Sequence, residues 1–272
     1  MLPGAARGLY YRPPSRVPTL TSPRDRATAA DLDVSVVIPV CNEQDNVLPL
    51  AREIHAALAG RYRHETIFVD DGSSDGTAGA VRAARDADMP QIRLIRHAVR
   101  SGQSAAVATG VRAACAPWIA TLDGDGQNDP ADIPRLLEAV RQAPSPRLRL
   151  VMGNRTTRRD TWLRRVSSRV ANGVRGWLLD DGTPDTGCGI KVFDREVFLD
   201  MPRFDHMHRF MPALFRREGF DVVSVPVNHR ERTRGTSKYG LHNRLWVGIV
   251  DLFGMVWLIR RASPRVRTAE DA

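Results

Sequence analysis

The feature that most constrains the fold is an alternation of short apolar runs and amphipathic stretches over residues 34–152. The apolar runs are typical of buried strands, and in chain order they are Val34–Pro39, Thr66–Val69, Ile92–Ile95, Ile119–Leu122 and Leu148–Met152. The stretches between them predict helices at Asp45–Leu58, from near Asp75, at Ser101–Ala114 and at Pro130–Val140. Strands joined by helical crossovers form a mostly parallel sheet that is covered on both faces. We therefore predict an α/β fold in which helices flank a mostly parallel sheet with a mixed edge.

Polar motifs follow three of these strands at the points where the strands end. Pro39–Glu43 follows the first strand, Asp70–Ser73 follows the second, and Asp123–Gln127 follows the fourth. In a parallel sheet the ligand crevice lies beyond the carboxyl ends of the strands. The order of motifs therefore predicts one ligand site at this edge of the sheet.

The most specific motif is Asp123-Gly124-Asp125-Gly126-Gln127. Because side chains alternate along a strand, Asp123 and Asp125 are expected to point to the same side as the chain leaves the sheet. Two carboxylates held in this way suit a hard divalent cation that carries a diphosphate. A solvated turn is the competing interpretation, since Asp and Gly are common turn residues. The neighbouring motifs favour the cation site.

Together these motifs resemble the family 2 glycosyltransferases of the GT-A fold, and within that family the dolichyl- or polyprenyl-phosphate sugar synthases. The similarity covers about Val34–Gly240 and is carried by Leu122–Pro130, Met152–Arg155, Asp185–Phe193 and Arg234–Tyr239. The resemblance implies an inverting enzyme that moves a hexose, for example mannose, from a GDP- or UDP-linked donor to a polyprenyl (dolichyl or undecaprenyl) phosphate. It also implies Mg²⁺ or Mn²⁺ as the cofactor.

The resemblance assigns roles to the residues at matching positions. The nucleotide-sugar site that it implies contains Pro39, Asn42, Glu43, Asp71, Ser73, Asp123, Arg234 and Lys238. The metal ligands that it implies are Asp123, Asp125 and Gln127, and the catalytic group comprises Asp125, Arg155, Arg169 and Asp185. Arg232, Arg234, Ser237 and Lys238 look like a mobile clamp over the diphosphate, or alternatively a charged surface hairpin.

The acceptor side can be argued from chemistry. A lipid phosphate has a second pKa of about 6 and is already charged near neutral pH, so it needs no base to become a nucleophile. It needs cations that hold it in line, and the planar fork of arginine suits this task. Arg155, in the polar loop expected after Met152, and Arg169, in the helix predicted over Trp162–Leu179, are the candidates. Asp185 is then a positioning residue, whereas a sugar or cell-envelope hydroxyl as acceptor would make Asp185 the base.

The net charge of +9 is carried almost wholly by arginine, because Lys191 and Lys238 are the only lysines of the chain. A basic excess suits nucleic acid, phosphorylated small molecules or an anionic membrane surface. A non-catalytic protein that binds nucleotide sugar or nucleic acid is therefore a further hypothesis. The sequence contains no recognisable nucleic-acid module, which argues against nucleic acid as a partner.

The ends of the chain differ from its middle. Residues 1–31 are expected to form a flexible basic leader, residues 32–240 the catalytic domain, residues 241–262 an amphipathic helix and residues 263–272 a polar tail. Leu245–Ile259 is shorter than the roughly 18–20 apolar residues that cross a bilayer, contains Trp246, Phe253 and Trp257, and precedes an arginine cluster. It is expected either to lie in the headgroup layer of an anionic membrane or to pack on the sheet or a partner. We expect a cytoplasmic protein, peripheral on the inner face of the membrane.

The remaining candidates have simpler interpretations. Cys41, Cys115 and Cys188 lack metal-ligand spacing and predict no disulfide, and Cys188 is interpreted as a packing residue. His206 and His208 are too few for a metal site of their own, so a surface or interfacial role is expected.

Overall fold

The first part of the chain alternates strands and helices, as the hydrophobic pattern predicts. The strands are β1 (Val34–Val40), β2 (His64–Asp70), β3 (Ile92–Arg96) and β4 (Trp118–Thr121). The helices between them are α1 (Gln44–Leu58), α2 (Thr77–Asp86) and α3 (Gln103–Ala113). The computed structural model describes residues 32–155, 173, 175–176, 178–179, 181–230 and 242–262, with side chains from residue 248 onward in the last range.

The second part begins with a 3-10 turn at Pro130–Asp132 that leads into α4 (Ile133–Arg141) and β5 (Leu148–Arg155). The later elements are β6 (Lys191–Asp194), α5 (Arg195–Leu199), α6 (Met211–Arg217), β7 (Asp221–Val227) and α7 (His242–Arg260). The proposed leader and tail, and the predicted site residues Arg169, Arg232, Arg234, Ser237 and Lys238, lie outside the described residues.

The strands form one seven-stranded sheet in the order β3-β2-β1-β4-β6-β5-β7. Strand β6 is antiparallel to both of its neighbours, whereas the pairs β1–β2, β1–β4, β2–β3 and β5–β7 are parallel. The predicted α/β class with a mostly parallel sheet is confirmed. The sequence analysis expected the reversed strand at an edge of the sheet. It lies inside the sheet, between β4 and β5. Strand β6 has only four residues, and the first and last of them, Lys191 and Asp194, are charged, so it does not stand out as an apolar run.

Side chains that alternate along the strands supply two hydrophobic cores, one on each face of the sheet. Val36 and Ile38 belong to one core, and Val37 between them belongs to the other. Helices α1, α2 and α4 cover the first face, and α3, α5, α6 and α7 cover the second. The buried residues that join the helices of the second face to the sheet include Val107, Phe198, Phe215 and Met255. This sandwich leaves the carboxyl ends of β1, β2 and β4 open for a site.

Strand β5 is longer than predicted, and this places a candidate residue differently. The sequence analysis put Arg155 in a loop, but β5 continues to Arg155, which pairs with Val227 of β7. Gly153 permits the extension, because a Cβ there would lie 2.5 Å from Cγ2 of Ile190 and 2.9 Å from Sγ of Cys188. Arg155 therefore starts from a rigid strand. Cys188 is fully buried, in agreement with its expected packing role.

Candidate active site

The Asp123–Gln127 turn leaves the carboxyl end of β4 and is held by its own backbone and by α3. The Asp123 amide donates to Oδ1 of Asn128 at 3.1 Å, and the Gln127 amide donates to Oδ1 of Asp125 at 3.1 Å. Gln103, the first residue of α3, donates from Nε2 to Oδ1 of Asp123 at 2.8 Å. Both carboxylates are thereby oriented before any ligand binds.

The position of the Asp123 carboxylate depends on a glycine in the turn that precedes β6. Gly189 precedes β6, and a Cβ built there would lie 2.2 Å from Oδ2 of Asp123 and 2.5 Å from Oδ1 of Asn128. Real Cβ atoms do not approach other heavy atoms so closely. Residue 189 must therefore be a glycine if Asp123 is to keep this position.

Charges of both signs converge on Asp123. Burial raises the pKa of Asp123, the nearby Lys191 ammonium opposes this rise, and the Asp125 carboxylate adds to it. Lys191 is itself buried, and the same desolvation lowers its pKa while Asp123 and Asp185 oppose the change. Its Nζ donates to the backbone oxygen of Cys188. A buried cation thus lies between a carboxylate of the D-x-D turn and one of the glycine turn.

The donor set fits a hard cation. Asp123, Asp125 and Gln127 offer carboxylate and amide oxygens, the ligands that Mg²⁺ and Mn²⁺ prefer. Burial and the Asp125 charge disfavour the ionised form of Asp123 and raise its pKa, and the positive charge of a bound cation would offset both effects. No cluster of three or more His, Cys, Asp or Glu side chains suited to a metal occurs among the described residues. A cation here therefore needs further oxygens from a ligand, as Mg²⁺ commonly takes from substrate phosphates.

The loops after β1 and β2 are tied to each other. Asn42, which has a positive φ of 53°, donates its amide to Oγ of Ser73 at 2.9 Å, and its Oδ1 accepts the Ser74 amide at 2.8 Å. The Glu43 amide donates to Oγ1 of Thr77 at 2.9 Å. The structure thus brings Asn42, Glu43 and Ser73 together, as expected for one pocket.

Asp71 is buried and has an internal task that the sequence did not indicate. Its two oxygens accept the backbone amides of Ser101 and Gly102, each at 2.8 Å, and Nδ1 of His97 lies 2.8 Å from Oδ1. The loop before α3 is therefore fastened to the loop after β2. Gly72 lets the two loops meet, because a Cβ there would lie 2.7 Å from the Arg100 nitrogen. The role of Asp71 as a nucleoside ligand remains a prediction.

Arg155 and Asp185, which the sequence analysis predicted for the acceptor side, form a pair. Nε of Arg155 donates to Oδ2 of Asp185 at 2.6 Å and Nη2 donates to Oδ1 at 2.8 Å. Both side chains are largely buried, with exposures of 13% and 8%. The Asp185 carboxylate accordingly orients the guanidinium, which favours the positioning role over the role of a base.

The segment after β7 is joined to the D-x-D turn. The Arg230 backbone amide donates to the backbone oxygen of Gln127 at 3.0 Å, and Nη2 of Arg230 lies 2.8 Å from Oδ1 of Asp129. Arg230 immediately precedes residues 231–241, which include the predicted clamp and lie outside the described residues. Arg230, the last described residue before that segment, therefore lies beside the D-x-D turn.

Sequence reasoning missed three polar residues that the fold brings to Asp123. Gln103 contacts it directly, and Lys191 and His208 line a small pocket beside it together with Pro39. His208 is half-buried, and its Nδ1 lies 2.7 Å from Oγ of Ser104 in α3, which fits the interfacial alternative of the expected surface or interfacial role. Only Lys191 carried a signal, as one of two lysines in an arginine-rich chain. His206 also packs between elements, with Nδ1 lying 3.0 Å from Oδ2 of Asp251 in α7.

Comparison with known proteins agrees with this geometry. The profile described as "Glycosyl transferase family 2" matches residues 35–201. The chain is 33% identical over 238 residues to a dodecaprenyl-phosphate galacturonate synthase of Rhizobium johnstonii, covering 86% of this chain and 69% of that protein. It is 36% identical over 212 residues to an undecaprenyl-phosphate 4-deoxy-4-formamido-L-arabinose transferase of Edwardsiella ictaluri, covering 76% of this chain and 63% of that protein. It thus spans about two thirds of the length of these relatives.

Solved structures share the fold. A glucosyl-3-phosphoglycerate synthase from Mycobacterium tuberculosis, in complex with Mn²⁺, UDP and glucosyl-3-phosphoglycerate, superposes with a TM-score of 0.62 at 18% identity, over 94% of this chain and 88% of that one. A mannosyltransferase from Pyrobaculum calidifontis, in complex with GDP-mannose and Mn²⁺, gives 0.59 at 20% identity, over 86% and 66%. At such identities the likeness is one of fold.

Proposed function

The chain belongs to glycosyl transferase family 2, and we propose that it transfers a sugar from a nucleoside-diphosphate donor to the phosphate of a polyprenyl lipid. The observation that carries the proposal is the position of Lys191 and its strand β6. This strand sets the acidic D-x-D turn, which suits a metal and a diphosphate, beside the Arg155–Asp185 pair, which suits a phosphate acceptor. Relatives named for polyprenyl phosphate support the same acceptor.

On the donor side, Asp123, Asp125 and Gln127 are the residues that would hold Mg²⁺ or Mn²⁺. A cation bound there would neutralise charge on the departing nucleoside diphosphate. Gln103 and Gly189 keep Asp123 in place for this role. Pro39, Asn42, Glu43, Asp71 and Ser73 are proposed to line the nucleoside pocket, and Arg234 and Lys238 to reach the diphosphate.

On the acceptor side, a lipid phosphate needs orientation and charge compensation but no base. Arg155 supplies a fork for two phosphate oxygens, and Asp185 fixes the plane of that fork. Arg169 is proposed as the second cation of this subsite. The oxygen of the phosphate attacks the anomeric carbon from the side opposite the leaving diphosphate, so the configuration inverts.

The acceptor lipid places this chemistry at a membrane surface, and α7 supplies a face that suits one. Val250, Phe253 and Trp257 share one side of the helix and are 66%, 70% and 63% exposed, while Met255 on the opposite side is 1% exposed in the core. Arg260 and Arg261 follow. No helix in the described part of the chain is long and apolar enough to span a bilayer. We propose peripheral attachment at the inner face through this side of α7.

The test is a transfer assay with purified protein, MnCl₂, a panel of UDP- and GDP-sugars and a short-chain prenyl phosphate. We expect one donor to yield a prenyl-phosphate sugar. Asp125→Asn should abolish this product and the thermal stabilisation by Mn²⁺ with nucleoside diphosphate, whereas Asp86→Asn on the exposed side of α2 should change neither.

Other outcomes would redirect the proposal. Transfer to a sugar hydroxyl but not to prenyl phosphate would favour Asp185 as a base. Metal-dependent binding of a nucleotide sugar with no transfer to any acceptor would favour the non-catalytic alternative. Full transfer by the Asp125→Asn variant would refute the metal assignment.

A further inference from the structure

A small pocket lies beside Asp123. Its polar lining consists of Gln103, Thr121, Asp123, Lys191 and His208, and Pro39, Val107, Leu122, Gly189 and Met211 complete the wall. His208 belongs to the 3-10 turn Met207–Arg209 that precedes α6. The proposed metal site uses Asp123, yet neither this site nor the proposed acceptor site gives His208 a task.

The hydrogen bonds of His208 occupy one of its two ring nitrogens. Oγ of Ser104 accepts the His208 backbone amide at 3.4 Å and lies 2.7 Å from Nδ1. Nδ1 is the acceptor that lies within reach of the Ser104 hydroxyl hydrogen, and the neutral tautomer that satisfies both groups carries its proton on Nε2.

The ring stays neutral at physiological pH. Burial, with smaller contributions from the charges of Lys191, Arg209 and His206, lowers the pKa of His208 to about 3. Within the described residues, Nε2 has no hydrogen-bond partner. His208 thus presents one oriented, uncharged N–H donor that the protein itself leaves unused there.

The position of the pocket indicates what group arrives at this donor. The lining includes Asp123 of the D-x-D turn, Gly189 of the turn that carries Asp185, and Lys191, the first residue of β6. The leaving diphosphate is proposed to bind at the D-x-D turn and the acceptor phosphate beside Asp185. Since the anomeric carbon is bonded to one and attacked by the other, the sugar must lie between them.

We propose that His208 contacts the donor sugar, with Nε2–H donating a hydrogen bond to a sugar hydroxyl that enters this pocket. The inference rests on the proposed function, because it requires a nucleotide sugar at the D-x-D turn. An uncharged donor suits a hydroxyl better than a carboxylate. Lys191, the cation of the pocket, already faces Asp123 and Asp185. A neutral hydroxyl or hydroxymethyl group is therefore the substituent that the pocket selects.

The experiment measures, in the presence of MnCl₂, the dissociation constants of UDP-glucose, UDP-galacturonate and GDP-mannose. The dissociation constants of UDP and GDP are measured in the same way for comparison. In His208→Ala, the affinity for the best-bound nucleotide sugar should fall about tenfold, the effect of one lost hydrogen bond of about 1.4 kcal/mol. The affinity for the nucleoside diphosphate should stay within about twofold. His208→Gln, which keeps an N–H donor, should recover part of the loss.

A donor series lacking one sugar hydroxyl at a time completes the test. One deoxy nucleotide sugar should bind to the wild type more weakly than its parent does. The same two nucleotide sugars should bind to His208→Ala with equal affinity, because the variant lacks the N–H group that contacts the missing hydroxyl. Equal weakening of nucleotide sugar and nucleoside diphosphate, or no weakening of either, would overturn the inference. Sugar-dependent effects without transfer to prenyl phosphate would support the inference and refute the proposed acceptor. Failure of the wild type to bind any of the three donors would overturn both.

Discussion

Arg155 and Asp185 meet through two parallel hydrogen bonds of 2.6 Å and 2.8 Å, one residue at the end of β5 and the other on the turn before β6. The pair is largely buried, so the guanidinium has one orientation available. This geometry fixes the orientation of the charged guanidinium, so in the proposed acceptor role the shape of the cation is as important as its charge.

Arg155→Lys tests that point. Lysine keeps the charge but loses the planar fork, so the acceptor phosphate should be misplaced and transfer should fall about 10²-fold. Binding of nucleoside diphosphate with Mn²⁺ should change little. The matched control is Arg149→Lys on the same strand, where the arginine pairs with Asp194 at 3.3 Å and stands outside the site. Equal transfer rates for the two variants would contradict the acceptor role of Arg155.

Gly189→Ala tests the close contact with Asp123. The added methyl group meets a carboxylate oxygen at 2.2 Å, so either the turn or Asp123 must move. We expect a loss of unfolding free energy of about 2 kcal/mol together with weaker stabilisation by Mn²⁺ and nucleoside diphosphate. Gly79→Ala in α2 is the control, because a Cβ there meets no atom within 4 Å, and helix propensity should raise stability by up to about 1 kcal/mol. Urea denaturation with and without ligand measures both effects, and wild-type behaviour of Gly189→Ala would show that the turn yields freely.

The exposed side of α7 yields a prediction about membranes. Replacing Phe253 and Trp257 together with serine should weaken binding to anionic vesicles at least about tenfold, because each buried ring contributes about 1.5–3 kcal/mol. Val99→Ser removes another exposed apolar side chain, 71% accessible and outside α7, and should have little effect. Co-sedimentation of the wild type with the vesicles should also weaken as the salt concentration rises, because arginines flank the helix. Equal co-sedimentation of both variants would instead favour a protein partner for this face.

The half-buried His208 predicts an acid limit to stability. Its pKa is lowered to about 3 in the folded protein, so between pH 6.5 and 3 the unfolded chain binds a proton that the folded chain does not. Stability from this group is present above its unfolded pKa and is lost as pH falls. Between pH 7 and pH 5 the loss should be about 2 kcal/mol. Urea denaturation at the two pH values should show a smaller loss in His208→Gln, and identical losses would place the titrating group elsewhere.

The local pattern predicted the elements that have a clear period and a clear end. Strands β1 to β4 and helix α1 were found within a few residues, because each is either a continuous apolar run or a stripe of apolar residues at helical spacing. The pair Asp123 and Asp125 was placed at a strand end by the same reasoning. The extension of β5 to Arg155 was missed, since its last residues are held by pairing with β7 and carry no apolar signal.

The amino-acid sequence alone determined the family, the α/β class and the acidic turn after β4, because those depend on residue types and short-range spacing. Only the tertiary structure decided that β6 enters the sheet in reverse, that Asp185 is the partner of Arg155, and that His208 lines a pocket with Asp123. These facts join residues up to about a hundred positions apart, as in the Ser104–His208 contact. Such contacts are selected by burial and by the need of each buried polar group for a partner, and both depend on the completed packing of the chain.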